Sequence, residues 1–115
     1  MIDAALLCMA MTIAQEAEGE PLSGQIAVGY VVYKRANYDR KQICSEVYKP
    51  YQFEWTKKPR QIDNDKFQQF LNLAQKILHK QIKDTSYGST HFHNSALPNQ
   101  WGMPIKVVIK NHIFY

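Results

Sequence analysis

Three carboxylates fall within five residues of the segment "TIAQEAEGEPLSGQIAVGYVV" (residues 12–32): Glu16, Glu18 and Glu20. They sit where one apolar-periodic stretch stops and another starts. Glu16 falls in the last turn of the first stretch, where the helix macrodipole is negative and disfavours an anion. Like charges at Glu18 and Glu20 disfavour ionisation further, and aromatic walls would add desolvation in the same direction. A carboxyl kept protonated near neutral pH is what glycosidic bond cleavage requires, an acid that protonates the leaving oxygen. Acidic residues also crowd solvated helix junctions without any chemistry. Glu18 reads as solvated, and Glu20 reads as an acceptor capping the second helix. Glu16 is the candidate acid. A second carboxylate would complete a two-carboxylate hydrolase, and Glu54 in "QFEW" and Asp39 are the candidates.

The other reactive residues point less sharply. His91 and His93 alternate along one strand-like stretch and His112 lies in the next, so three imidazoles converging on a small sheet would hold zinc with an open position. No HExxH or CxxC spacing accompanies them, and histidines in strands commonly serve as hydrogen-bonders, so neither a metal nor another cofactor is expected. Tyr51, Phe53, Trp55, Phe92, Trp101, Phe114 and Tyr115 cluster in loop and strand segments. Core packing accounts for most of them. Trp55 and Trp101, flanked by polar residues and prolines, suit the walls of a groove where aromatic faces stack on sugar rings. No GxSxG, phosphate-binding loop or GxGxxG occurs. Cys8 and Cys44 lie in apolar, helix-like patterns and read as buried reduced thiols, not nucleophiles.

Several elements must position these residues. Residues 3–18 carry apolar side chains at steps of three and four, with Asp3 as N-cap and Gly19 as the stop. A second helix starts near Pro21 and runs to about Ala36. It is apolar nearly all round, the pattern of a central buried helix. Asp39 suits the cap of a short helix over 40–48, ended by Pro50. "YQFEWTKKPRQID" is irregular. Asp63 or Asn64 caps the clearest amphipathic helix, with Phe67, Phe70, Leu71, Ala74, Ile77, Leu78 and Ile82 as its buried stripe. The period then changes: "THFHN" (90–94) and "KVVIKNHIFY" (106–115) read as a pair of strands. Helices first and a small sheet last make an α+β class.

With 115 residues, the chain suits one domain over 1–115 built on one core. Its formal charge of +4 favours an anionic partner such as nucleic acid, acidic lipid or cell-wall polymer. The basic residues are scattered apart from "KKPR" (57–60), so nucleic acid is not expected as a partner. The apolar opening lacks the cationic start of a secretory signal, and no stretch is long enough for stable membrane insertion. A monomer made in the cytoplasm and released by other means is the expectation.

In order along the chain, "EAEGEPLSGQIAVGYVVYKR", "ICSEVYKPYQFEW", "GSTHFHN" followed by "W", and "HIFY" resemble the motifs of the SleB-like cell-wall hydrolases, which include spore-cortex-lytic enzymes. The resemblance runs from about residue 6 to residue 115. It implies a lysozyme-like fold, mainly helical with a small antiparallel sheet beside a substrate groove. It further implies cleavage of peptidoglycan glycan strands between N-acetylmuramic acid and N-acetylglucosamine. Characterised spore members of the family act as lytic transglycosylases through one glutamate, which here is Glu16. Gln25, Gln52, Phe53, Trp55, His93, Asn94, Trp101, His112 and Tyr115 match other motif positions and are carried over as groove or supporting residues. Glu18 stands where the family often has arginine, Lys34 where it often has asparagine, and Lys110 where glycine is common. Tyr51 occupies a position that is cysteine in some relatives, so Cys44 is expected to lack that partner.

The leading reading is therefore a lytic transglycosylase that leaves 1,6-anhydro-muramic ends. A hydrolytic muramidase using Glu54 or Asp39 is the rival enzyme, and a non-catalytic wall-binding module is the rival of another class. A basic hydrolase without a signal peptide also resembles a phage endolysin that reaches the wall after release.

Overall fold

The computed structural model describes residues 2–115. Four α-helices come first: α1 (Ala4–Ala17), α2 (Leu22–Arg35), α3 (Ile43–Val47) and α4 (Asn64–Leu78). Single 3₁₀ turns lie at Arg40–Gln42 and Glu54–Thr56. Three short strands follow, β1 (Phe92–Asn94), β2 (Val107–Ile109) and β3 (His112–Phe114), forming an antiparallel sheet in the order β1-β3-β2. Among the described residues, no helix is long and apolar enough to cross a membrane.

The helix limits follow local chemistry. Asp3 accepts from the Leu6 amide at 2.9 Å and caps α1, while Gly19 at φ +88° turns the chain out of it. Asp63 caps α4 by accepting from Lys66 N. α4 stops at Leu78, four residues before Ile82, because Lys80 takes a left-handed conformation (φ 53°) and Gln81 N returns to Lys76 O at 2.8 Å. Ile82 thus lies beyond the helix whose stripe it was expected to finish, although its side chain still packs on the core. The carboxylate of Glu20 does not cap α2. Pro21 holds the N-cap position, with no side-chain bond there.

α1 and α2 each pack against the other helices. Met9, Ile13, Val28, Val31, Val32, Ile43, Val47 and Ile77 form the solvent-free centre. α2 passes closest to its neighbours at Gly29, where a Cβ would meet Ile77 Cδ1 at 2.5 Å and Ile13 Cδ1 at 3.1 Å. Phe114 on β3 closes this core from the sheet side, and its full burial stabilises the fold by about 3 kcal/mol.

Two expectations are corrected. The run 106–115 is not one strand but a hairpin, turned at Lys110–Asn111 with Lys110 at φ 47°, so the sheet has three strands. Cys8 and Cys44 are not free thiols. They form a disulfide across a separation of 36 residues, tying α1 to α3. A helix-like apolar pattern places both side chains inward, and it carries no information on whether the two inward faces meet.

Candidate active site

Glu16 is the penultimate residue of α1 and is partly buried. Burial pushes its carboxyl pKa above 4.5, and the Glu54 carboxylate pushes it further in the same direction. The proton is thereby retained to higher pH, the condition a general acid needs. The like charge is not the one expected. Neither Glu18 nor Glu20 contributes, because each is committed elsewhere.

Glu18 is ion-paired, not solvated: Arg60 Nη1 lies 2.5 Å from Oε1 and Lys66 Nζ 3.4 Å from Oε2. The hydrogen bond from Arg60 leads the causes that hold the Glu18 carboxyl below 4.5. Arg60 also donates to Ala14 O at 2.8 Å, and Gln15 exchanges bonds with the Arg60 backbone at 2.7 and 3.3 Å. This cluster staples the irregular segment after α3 to the end of α1 and holds the Glu54–Thr56 turn near Glu16. Glu20 reaches the opposite way, accepting from Asn111 N at 3.2 Å and Asn111 Nδ2 at 3.0 Å across the β2–β3 turn. Gln25 Nε2 donates to Glu20 O at 3.1 Å and Ala17 O at 3.5 Å, pinning the junction from α2. The three glutamates of the opening motif thus have three settings: Glu16 a carboxyl with a raised pKa, Glu18 an anchor of the Arg60 segment, and Glu20 a brace of the sheet.

A cleft of about 210 Å³ is lined by Arg35, Tyr51, Gln52, Phe53, His91, Phe92 and Trp101. A second hollow shares Tyr51 and Phe53 with it and continues to Tyr48, Glu54 and Lys57. Glu16 lines neither hollow, and Glu54 is its link to the groove. The outer face of the sheet forms one wall. Trp101 packs on His91 at 4.9 Å, Tyr115 at 5.3 Å and His93 at 5.5 Å between ring centroids. His93 Nδ1 lies 2.7 Å from Asn94 O, which only accepts, so Nδ1 donates there, and Nε2 lies 2.7 Å from Tyr115 Oη. These two bonds fix the orientation of the imidazole ring.

The remaining candidates divide. His112 faces the other side of the sheet, paired with Asn94 and in edge contact with Phe92 and Phe114, so three histidines do not converge. Burial lowers its pKa, opposed by Glu20 and aided by His93. It is therefore neutral at pH 7, and its Nδ1, 3.6 Å from Glu20, makes no ion pair. Among the described residues, no group of three metal-ligating side chains comes together. Trp55 packs edge-on to Tyr48, with its Nε1 buried and unpartnered. Asn94 is exposed, and its Oδ1 accepts from Ala96 N. Asp39 lies beside Arg40, which pairs with Asp3 at the start of α1, about 20 Å of helix from Glu16. That distance removes it as a second carboxylate.

Sequence reasoning missed Arg35, Glu46 and Arg60 as parts of the site. Arg35 and Arg60 look like ordinary basic residues, one at a helix end and one in a basic cluster. Glu46 is exceptional only once its 5% exposure is known.

A family model described as Cell Wall Hydrolase matches residues 19–115, beginning three residues after Glu16. Among solved structures, the catalytic domain of the Bacillus cereus SleB protein superposes with a TM-score of 0.77 at 20% identity, covering 96% of this chain and 88% of that one. The fold is therefore that of the SleB catalytic domain. No curated protein matches the sequence.

Proposed function

Because the chain belongs to the cell wall hydrolase family, we propose that it cleaves peptidoglycan glycan strands between N-acetylmuramic acid and N-acetylglucosamine, with Glu16 as general acid. The observation that carries this reading is the setting of Glu16: a carboxyl whose pKa is raised by burial and then by Glu54, which itself lines an aromatic-walled hollow. In the reaction, Glu16 gives its proton to the glycosidic oxygen as the C1–O bond breaks. The resulting carboxylate then takes the proton of the muramic C6 hydroxyl, whose oxygen closes onto C1 and yields a 1,6-anhydro end. That is the lytic transglycosylase outcome, and one carboxylate serves both steps.

Glu54 supports a second reading. It is exposed, and its charge reaches Glu16, so it is available to orient a water in place of the C6 hydroxyl and give a muramidase. The Cys8–Cys44 bridge supports work outside a reducing cytoplasm, in keeping with an endolysin-like protein that meets the wall after release.

Mass spectrometry of muropeptides released from purified peptidoglycan separates the outcomes. Anhydro-muramic ends, one water lighter than hydrolysed ones, are expected, whereas reducing ends would transfer the second step to Glu54. Glu16→Gln should lower lysis by roughly 10²–10⁴-fold. Undiminished lysis by that variant would remove Glu16 from the chemistry, and no release by the parent protein would favour a wall-binding module.

A further inference from the structure

Arg35 is the one full charge lining its cleft, and it shares its carboxylate partner with a second cation. Glu46, on α3, divides its carboxylate between two cations: Oε1 meets Arg35 Nε at 2.9 Å and Oε2 meets Lys49 Nζ at 2.7 Å. Burial alone would raise its pKa, but the bonds from Lys49 and Arg35 outweigh burial and hold it below 4.5, so Glu46 is ionised at neutral pH. Two cations against one carboxylate leave a net positive charge. Arg35 Nη1 donates to Thr90 O at 3.3 Å. Among the described residues, Nη2 has no protein partner, and it is not one of the buried unpartnered atoms, so it remains open to solvent. The Arg35 side chain is 21% exposed, and its guanidinium is held on two sides. No other lining residue carries a full charge: His91 is neutral because burial, and then Arg35, lower its pKa. Gln52 adds an amide, and the rest of the wall is aromatic.

A guanidinium held by its Nε and Nη1, with Nη2 open to an acid-free aromatic cleft, is suited to receive a carboxylate. We infer that the cleft is a carboxylate-binding subsite, in which Arg35 Nη2 holds a carboxylate on the muramic residue or its peptide while Trp101 and Phe53 cover the sugar. The inference rests on the peptidoglycan reading above. Two sources share the chemistry: the lactyl carboxylate of a muramic residue without its peptide, and a free carboxylate on the stem peptide.

The test is an NMR titration of the wild-type protein with three small ligands, none of which contains the bond to be cleaved. They are N-acetylmuramic acid, its methyl ester, and N-acetylmuramic acid bearing a dipeptide with a free carboxylate. The Arg35 Nε–H and Trp101 indole N–H resonances report the cleft, and the Trp55 indole, whose Nε1 is buried and which lines neither hollow, is the internal control. At least one acid should shift the two cleft resonances saturably and bind roughly tenfold more tightly than the ester. A stronger response to the dipeptide form assigns the site to the stem, and a stronger response to the simple acid assigns it to the lactyl group. Equal binding of ester and acid, or no saturable shift by any ligand, overturns the subsite. Arg35→Gln, if folded by circular dichroism, should lose the preference for acid over ester; if it does not fold, the ester comparison on the wild type still decides. Because the readout is binding, failure here leaves the role of Glu16 standing, and undiminished lysis by Glu16→Gln would leave this subsite standing.

Discussion

Reducing the Cys8–Cys44 bridge should lower the stability of the domain substantially while leaving its helices able to form. The bridge closes a chain separation of 36 residues. The entropy that such a closure removes from the unfolded chain corresponds to about 4 kcal/mol at 25 °C. For 115 residues, the entropy of unfolding is roughly 240 cal/mol/K near 60 °C, so this loss lowers the melting temperature by roughly 15 °C. The assay is calorimetry or circular dichroism melting with and without a phosphine reductant, repeated on the double variant Cys8→Ala, Cys44→Ala, whose melting should be indifferent to reductant. The effect should reach the groove as well. α3 carries both Cys44 and Glu46, and Glu46 fixes Arg35. Lysis assayed between the two melting temperatures should therefore be lost on reduction and recovered on reoxidation. A shift below about 4 °C, or two titratable thiols in the native oxidised protein, would refute the reasoning.

Further predictions concern the acid and the hairpin. Glu16 must be protonated to act, so lysis should fall as pH rises through its raised pKa. Glu54→Gln removes one of the two causes of that rise, and the alkaline limb of the pH–activity profile should move to lower pH; an unmoved limb would show that burial alone sets it. The folded-state pKa of Glu16 exceeds its unfolded value, so its favourable contribution to stability is complete below about pH 4.5 and is lost as pH rises through the folded pKa. Glu16→Gln should therefore melt higher than the parent at pH 7 and lose that advantage near pH 4, and melting curves at the two pH values check the sign. Lys110→Gly relieves a left-handed conformation at a non-glycine residue and should stabilise the domain by about 1 kcal/mol, read from the urea midpoint. A lower midpoint would mean that the lysine side chain contributes more than the strain costs.

Elements with strong local signals were legible in the sequence. Asp3 and Gly19 delimit α1, Asp63 opens α4, and the place of Glu16 at a helix end already marked it as the carboxyl with a raised pKa. What the sequence hid was the pairing between segments. The neighbours of Glu16 in the chain, Glu18 and Glu20, looked like the source of its electrostatic environment, yet both lie beyond the end of α1, where the extended Glu18 and the turn at Gly19 send their side chains elsewhere. Arg60 and Asn111 claim them, and both lie far along the chain. Glu54 was a candidate second carboxylate with nothing local to place it near Glu16, since the staple that holds it there runs through Gln15, Glu18 and Arg60. The same reason explains Cys8 and Cys44. The hairpin turn at Lys110–Asn111 was missed because it lacks the glycine that usually marks such a reversal.

The link from Glu20 to Asn111 also bears on the order in which the candidate site can assemble. The helix end bearing the acid is braced by a residue 91 positions later, and β3, which carries Phe114 into the core, follows immediately. Contacts that distant in sequence form only after the intervening chain exists. On the ribosome, α1 and α2 emerge first with nothing to hold their junction, and the histidine–tryptophan wall cannot close until Tyr115 pairs with His91. A nascent chain that has reached only α2 therefore carries the Glu16 carboxyl without the groove, which assembles only once His112–Tyr115 have joined the sheet.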